Sequence, residues 1–165
     1  MFSSRYSLSK SDRKKLVDQL QVSLASAVDL IDRAANIEVA RVRDIGIELI
    51  IVNGIPALVR DGNAIYPTLL ATYRLGLTLA TVIVDMGAVP HILNGADVMV
   101  PGIVEFGEFK PGDIVYVADI NKRRVFAVGK AIISSEELRR AKKGKAICTL
   151  HYAGDKIWKL VTNLL

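Results

Sequence analysis

The chain contains few of the residues from which metal and redox sites are built. Among its 165 residues there is one cysteine, Cys148, and there are two histidines, His91 and His151. A single cysteine excludes an intramolecular disulfide, and no spacing of cysteine and histidine matches a zinc site. Cys148 stands in an apolar run and is interpreted as a small core residue. We therefore predict no metal ligands and no cofactor.

Catalytic motifs are also absent. The sequence has no G-x-S-x-G, no H-E-x-x-H, no G-x-x-x-x-G-K-[ST] and no G-x-G-x-x-G. Asp85 follows a predicted strand, where catalytic acids often lie, but no partner base stands near it in the sequence. It is interpreted as the cap of a helix that starts at about Ala88, and His91 on that helix as a structural residue. The sequence predicts no catalytic residues and a protein that is not an enzyme.

Long hydrophobic runs are missing. The stretch LTLATVIV, residues 77–84, is far shorter than the ~18 apolar residues of a membrane-spanning helix and is typical of a buried strand. The first residues, MFSSRYSLSKSDRKK, lack the apolar region of a secretory signal. We expect no contact with a membrane and a cytoplasmic location.

Basic residues, in contrast, are in excess. The formal net charge is +5, and residues 122–145 hold nine lysines and arginines against two glutamates. Such a density suits contacts with the phosphates of a nucleic acid, although a charged turn or a solvated helix face also explains it. Phosphate contact is predicted for four of these residues, which flank or lie in a predicted strand: Lys122, Arg123, Arg124 and Lys130.

The first half of the chain changes from a helical to a strand period. Apolar residues at three- and four-residue steps predict a helix over 9–32, capped by Ser9 or Ser11. The pairs Asn53-Gly54 and Asp61-Gly62 supply the positive φ angles of tight hairpin turns. They separate strands predicted at 38–43, 47–52, 55–60 and 63–65, after which a helix runs from about Pro67 to Gly76.

The second half reads as short strands at regular spacing, which is typical of a small barrel. Ser134 and Glu137 form a capping box for a helix that runs to about Lys143. A final hairpin is predicted with Gly154-Asp155 at its tip. The predicted fold class is α+β, with two domains over residues 1–78 and 79–165.

One stretch, MGAVPHILNGADVMVPGI at residues 86–103, has no lysine or arginine but holds three glycines and two prolines. A plain core segment does not need so many residues of this kind, and an enzyme's phosphate loop carries a lysine. Small side chains let backbone N–H and C=O groups approach a ribose, a phosphate or a base edge. We therefore expect the main chain of residues 94–102 to lie bare at the surface, where a nucleotide contacts it. The alternative is that these glycines only turn tight corners in a small barrel.

The motifs of both halves resemble a known family. VDMGAVPHILNGADVMVPGI, followed by FKPGDIVYVAD, VFAVGKAIISSEEL and HYAGDKIW, looks like a PUA domain, a module named after pseudouridine synthases and archaeosine transglycosylases. Upstream, LVRDGNAIYPTLLATYR is similar to the domain that precedes PUA in the malignant-T-cell-amplified-sequence translation factors and their archaeal relatives. Together the two matches cover nearly the whole chain.

The resemblance implies an N-terminal α/β pre-PUA domain packed on a C-terminal PUA pseudo-barrel of mixed short strands. It implies that the PUA domain binds structured RNA, often a tRNA acceptor end, through the loop after its first helix. It further implies action on the small ribosomal subunit, with a density-regulated-type protein as a possible partner. Carried over by position, the RNA-binding loop comprises Asn94, Gly95, Ala96, Asp97, Val98, Met99, Val100, Pro101 and Gly102, entered from Gly87 and Ala88.

The predicted function is therefore a non-enzymatic RNA-binding protein that acts in translation, in initiation, reinitiation or recycling, on tRNA, rRNA or both. Two alternatives stay open. The first is an accessory RNA-binding factor in ribosome biogenesis or RNA modification. The second is a protein-interaction subunit of a modifying enzyme.

Overall fold

The computed structural model describes residues 2–165, and the chain separates into two compact units. The first consists of the residues up to Thr78 together with Asn163–Leu165, and the second is Leu79–Thr162. Each unit contains its own sheet and its own helices, which confirms the α+β class. Within the described residues, no helix is long and apolar enough to cross a membrane.

The first unit is built on a five-stranded antiparallel sheet whose strands follow the chain order. Asn53 and Gly54 have φ angles of 49° and 82° at one hairpin turn, as predicted. The N-terminal strand was not predicted, because four exposed residues carry no apolar alternation. The strands are β1 (Ser4–Ser7), β2 (Ile37–Val42), β3 (Ile47–Val52), β4 (Ile55–Asp61) and β5 (Ala64–Pro67).

The helices of this unit are α1 (Lys10–Ser23), α2 (Val28–Arg33) and α3 (Leu69–Leu75). The single helix predicted over 9–32 is wrong: the chain leaves helical geometry at Leu24, where φ is −155°. The apolar period continues through this break because Leu24 itself is buried.

The ends of these helices follow local chemistry. Ser9 caps α1, its hydroxyl accepting a hydrogen bond from the Asp12 N–H at 3.1 Å. Pro67 closes β5 instead of opening α3, which is a correction to the prediction; Gly76 ends α3 in the left-handed conformation, as expected.

The second unit contains a six-stranded sheet in the order β7-β11-β10-β9-β6-β8, in which β6 runs parallel to β9 and the other pairs are antiparallel. Its apolar core includes Val82, Val84, Val117 and Ile147, all essentially without exposure. The strands are β6 (Thr81–Val84), β7 (Val98–Met99), β8 (Ile103–Phe106), β9 (Ile114–Asp119), β10 (Val125–Ala131) and β11 (Lys145–Tyr152).

Three helices complete this part of the chain: α4 (Val89–Ile92), α5 (Ser135–Arg140) and α6 (Lys156–Asn163). Ser134 caps α5 by accepting a hydrogen bond from the Glu137 N–H at 3.0 Å, as predicted, but α5 ends at Arg140 and not at Lys143.

The predicted final hairpin is wrong, because α6 follows β11. Gly154 does turn the chain, with φ 90°. Asp155, however, caps a helix, and its Oδ1 accepts a hydrogen bond from the Trp158 N–H at 2.7 Å. A Gly-Asp pair serves a hairpin tip or a helix start equally well, so the pair alone did not decide between them.

Candidate nucleic-acid interface

The stretch that the sequence singled out forms one side of an open cavity of about 410 Å³. This volume lies within the range of about 300–1,000 Å³ typical of ligand sites. We call this cavity the loop cleft. It is lined by Asp85, Ala88, His91, Ile92, Ala96, Asp97, Met99, Pro101 and Gly102. Six of these nine residues were predicted as RNA contacts.

One wall of the loop cleft comes from α4 and the turn before it. The Asp85 carboxylate accepts a hydrogen bond from the Ala88 N–H at 2.9 Å and so closes the turn that leads into α4, although the N-cap position of α4 is Ala88 and not Asp85. Ala88, His91 and Ile92 are spaced three and four residues apart, so they share one face of the helix. Ile92 is buried and His91 is exposed.

The other wall is held in place by β11. The Thr149 N–H donates to Asp97 Oδ1 at 3.0 Å, and the Thr149 hydroxyl donates to the Ala96 carbonyl at 2.9 Å. Lys145 Nζ lies 3.3 Å from Asp97 Oδ2. Both oxygens of the Asp97 carboxylate therefore bind groups of β11 and fix the loop, although Asp97 also lines the cleft.

The backbone of the loop is much less available than we expected. The N–H groups of Asn94 and Ala96 both donate to the His91 carbonyl, at 3.1 and 3.0 Å. The Gly95 N–H donates to Ile92, and the Val100 N–H donates to Gly144. The expectation that this main chain lies bare is wrong for these four groups, because the short helix turn and the neighbouring strand already satisfy them.

Two glycines of the loop have structural reasons within the unit, one from packing and one from backbone conformation. A Cβ at Gly102 would lie 3.0 Å from Ala88 Cβ, which is tighter than ordinary contact. Gly95 has φ +91°, and a Cβ there would meet the Tyr152 ring at 3.6–3.9 Å. The alternative that a glycine only turns a corner therefore fits Gly95, whereas Gly102 permits close packing against Ala88.

Side chains form much of the accessible surface of the loop. Met99 is 45% exposed and Met86, just outside the cleft, is 44% exposed. Ala96 and Pro101 are exposed as well. Val98 is 1% exposed and supports the loop from beneath instead of facing the cleft. An apolar wall with polar groups at its edges suits the face of a nucleobase.

Three lining residues were not predicted as contacts: Asp85, His91 and Ile92. The sequence carried a usable signal, since His91 and Ile92 follow Ala88 at helical spacing. Of the predicted contacts, Gly87, Asn94 and Gly95 are exposed but do not line the cleft.

The basic turn at Lys122–Arg124 lies beside the loop cleft. Asp119 at the end of β9 pairs with Val84 at the end of β6, and the Ile120 N–H donates to the Val84 carbonyl at 3.0 Å. Asp85 of the cleft directly follows Val84. The Asp119 carboxylate accepts from the Lys122 N–H at 2.7 Å, and this bond lowers the pKa of Asp119.

Arg123 is already paired. Its two terminal nitrogens donate to the carboxylate of Glu105 at 2.9 and 2.8 Å, and this contact lowers the pKa of Glu105. Both side chains are more than half exposed, so the pair is screened by water. Lys122 and Arg124 are exposed, and no ion pair of either is found among the described residues.

Lys130 lies on β10, two strands away from the loop. It pairs with Cys148 on β11, and the next strand after β11 is β7, which carries Val98 and Met99. Two strand spacings put Lys130 about 10 Å from that part of the loop. The predicted basic residues thus flank the loop cleft and none of them lines it.

A buried pair supports the cleft from behind. His151 is fully buried, and its Nδ1 lies 2.8 Å from Asp155 Oδ2. Asp155 also accepts the backbone N–H of Tyr152, whose ring contacts Gly95. Burial alone would raise the pKa of Asp155, but the hydrogen bonds from His151, Trp158 and Tyr152 outweigh it and lower that pKa.

Within residues 2–165, no group of three or more His, Cys, Asp or Glu side chains is placed to hold a metal ion.

Comparisons with known proteins match both units. The model of the PUA domain family matches residues 80–153, and the model of a domain of unknown function, DUF1947, matches residues 4–75. The Malignant T-cell-amplified sequence 1 homolog of Drosophila melanogaster is 33% identical over 162 residues, which cover 93% of this chain and 87% of that protein. Translation machinery-associated protein 20 of Saccharomyces cerevisiae is 28% identical over 159 residues, covering 92% and 87%.

A solved structure matches as well. A hypothetical protein of the hyperthermophilic archaeon Pyrococcus horikoshii shares 36% identity with this chain at a TM-score of 0.79, covering 96% of this chain and 99% of that one. These matches confirm the resemblance seen in the sequence. The chain belongs to the family of PUA-domain proteins that includes the malignant T-cell-amplified sequence proteins.

Proposed function

We propose that the chain is a non-enzymatic RNA-binding protein of the translation machinery, which binds an unpaired nucleotide of its RNA in the loop cleft. The observation that carries this proposal is the cleft itself. Six residues chosen from the sequence as RNA contacts meet around a single cavity of nucleotide size. Unstacked bases are what proteins most often read in RNA, and an exposed apolar wall offers them a stacking surface.

Two surfaces contribute differently to this binding. Met99, Ala96 and Pro101 offer contact to a base or a ribose. Lys122, Arg124 and Lys130 flank the cleft and offer long-range attraction to phosphates. His91, exposed at the cleft, adds a ring nitrogen that is able to hydrogen-bond a base edge or a phosphate oxygen.

The setting in translation rests on relatives. One of them is named translation machinery-associated protein 20, and its match covers 92% of this chain. We propose tRNA acceptor ends or the small ribosomal subunit as the RNA, and the cytoplasm as the place of action. A density-regulated-type protein partner stays a prediction.

The direct test substitutes the cleft wall and a matched surface position. Met99→Glu and Val104→Glu both put a carboxylate in place of an exposed apolar side chain of the second unit, 45% and 48% exposed. Only Met99 lines the cleft. Affinity for deacylated tRNA and for purified small subunits is measured by fluorescence anisotropy with the full chain.

We expect Met99→Glu to weaken binding at least about tenfold, because burying an exposed methionine side chain against a base contributes roughly 1.5–3 kcal/mol. Val104→Glu changes it less than about twofold, as surface substitutions usually do. Equal losses in the two variants contradict the proposed site. Co-purification with precursor rRNA or with one modifying enzyme, instead of mature subunits or tRNA, favours an accessory role in biogenesis or modification.

A further inference from the structure

The first unit contains a second cavity that the proposed function leaves unused. Its volume is about 300 Å³, and it is open to solvent. Three arginines line it, and glutamate is the only acid among its lining residues. We call it the arginine cleft, defined by Arg41, Val42, Arg43, Gly46, Ile47, Glu48, Arg60 and Gly62.

The topology of the sheet explains why these residues meet. β2 and β3 are joined by the short turn Arg43–Ile45, and β4 and β5 are joined around Gly62. Because consecutive strands are antiparallel, both turns lie at the same end of the sheet. The arginine cleft lies between these turns.

A row of three charges crosses the sheet beneath it. Arg41 of β2 stands opposite Glu48 of β3, which stands opposite Arg60 of β4. Glu48 Oε2 accepts from Arg41 Nε at 3.3 Å, and its Oε1 accepts from Arg60 Nε at 2.9 Å. One carboxylate therefore orients two guanidinium groups.

This arrangement leaves donors available. Each of the two arginines uses only its Nε on Glu48, and no bond of their terminal nitrogens is found among the described residues. The third, Arg43, is exposed and has no ion pair among residues 2–165. The lining itself holds three guanidiniums and one carboxylate, and the exposed acids Asp44 and Asp61 stand beside it at the two turns.

The chemistry that fits is a phosphate group. Guanidinium forks match phosphate oxygens, and a fork that is already oriented loses less side-chain entropy on binding. At Gly46 and Gly62 an added Cβ would meet nothing within 4 Å, so both turns leave the opening clear. A simple ladder of cross-strand ion pairs explains Arg41, Glu48 and Arg60, but it does not explain Arg43 or the cavity.

We propose that the arginine cleft binds phosphate groups of the RNA backbone, as a second RNA contact separate from the loop cleft. The assignment to RNA rests on the proposed function; the phosphate chemistry does not. Free polyphosphates carry the same phosphate groups as RNA. The experiment therefore has one arm with RNA and one with inorganic pyrophosphate.

The test compares two double variants that remove the same charge from the first unit. Arg41→Gln with Arg43→Gln changes the cleft and keeps Arg60 and Glu48. Arg33→Gln with Arg74→Gln changes two exposed arginines outside it. The first arm measures tRNA or small-subunit affinity over a range of KCl concentrations. The second follows the Gly46 and Gly62 amide signals by NMR while inorganic pyrophosphate is added to the full chain.

We expect pyrophosphate to shift both glycine signals in the wild type and the control, but not in the cleft variant. We expect the salt slope of RNA binding to fall by about 1.4–1.8 for the cleft variant, at about 0.7–0.9 per lost phosphate contact, and by much less for the control. Equal slopes for the two double variants, or pyrophosphate binding without any change in slope, overturn the assignment to RNA. Absence of the glycine shifts overturns the phosphate site itself.

The two proposals fail separately. If the wild type binds no RNA, the proposed function fails, and the NMR arm still decides the phosphate site. If Met99→Glu weakens RNA binding but the arginine pair does not, only the second contact is lost.

Discussion

The loop cleft is walled by small and apolar side chains, whereas the arginine cleft is walled by guanidiniums held by one carboxylate. An apolar wall with fixed polar groups at its edge suits contact with the face and edge of a base. Guanidiniums read phosphates, which every nucleotide has. Under the proposed function, the loop cleft is expected to recognise a base or an RNA end. The arginine cleft of the first unit and the basic turn Lys122–Arg124 of the second are both expected to contribute salt-dependent affinity.

The largest expected effect follows from removing the buried pair of His151 and Asp155, which lies behind the loop cleft. Asp155→Ala deprives buried His151 of its carboxylate and α6 of its cap. We expect the free energy of unfolding to fall by about 3 kcal/mol, since an unsatisfied buried group and a lost cap each cost roughly 1–2 kcal/mol or more. Urea denaturation followed by circular dichroism measures it.

The pH dependence of the free energy of unfolding tests the charge of Asp155 separately from its size. Because the folded pKa of Asp155 is lowered, its ionised form stabilises the fold above the ordinary aspartate pKa of about 3.9. This contribution is lost as the pH falls through the folded value. The difference in stability between wild type and Asp155→Asn therefore shrinks below about pH 4; a difference that stays constant down to pH 2 argues against this role.

The architecture was largely readable from the sequence, because apolar alternation and Gly-containing turns define β2, β3 and β4 within a residue or two. The final helix was not, since Gly154-Asp155 suits a hairpin tip as well as a helix cap. At the site, the loop was located but its backbone was misjudged. Which N–H groups are free depends on strands distant in the sequence, such as the contact of Val100 with Gly144.

The arginine cleft could not have been found by the same reasoning. Its three arginines lie at positions 41, 43 and 60 and stand in no local run, so charge counting pointed to residues 122–145 instead. Cross-strand register brings them together around Glu48. Within 122–145, Arg139 and Lys145 prove to be paired with Glu108 and Asp97.

A smaller effect is expected when the positive charges of the basic turn beside the loop cleft are reversed. Lys122→Glu with Arg124→Glu reverses two charges beside the loop cleft. We expect RNA affinity near 0.1 M salt to fall about 10- to 100-fold and the salt slope to flatten by about 1.4–1.8, the value for two phosphate contacts. The control is Lys10→Glu with Lys14→Glu, two exposed lysines of α1. A filter-binding series in rising KCl that gives one slope for both variants rules out the phosphate role of the turn.

The smallest expected effect is a gain. Glu105→Gln releases Arg123 from its exposed ion pair and makes the turn more positive. We expect RNA affinity at low salt to rise two- to threefold, because an exposed pair is worth less than about 1 kcal/mol. The gain disappears at high salt, and anisotropy titrations at 50 and 500 mM KCl measure both. A loss of affinity at low salt would show that the pair itself shapes the binding surface.

The site at the loop cleft is tested most directly by crosslinking the full chain to tRNA and to small subunits that carry 4-thiouridine, followed by mass spectrometric mapping. A nucleotide held in the loop cleft yields adducts within residues 85–102, at Met99 and its neighbours, and Met99→Glu removes them. Efficient crosslinks that fall only outside those residues, with that segment unmodified, contradict the account.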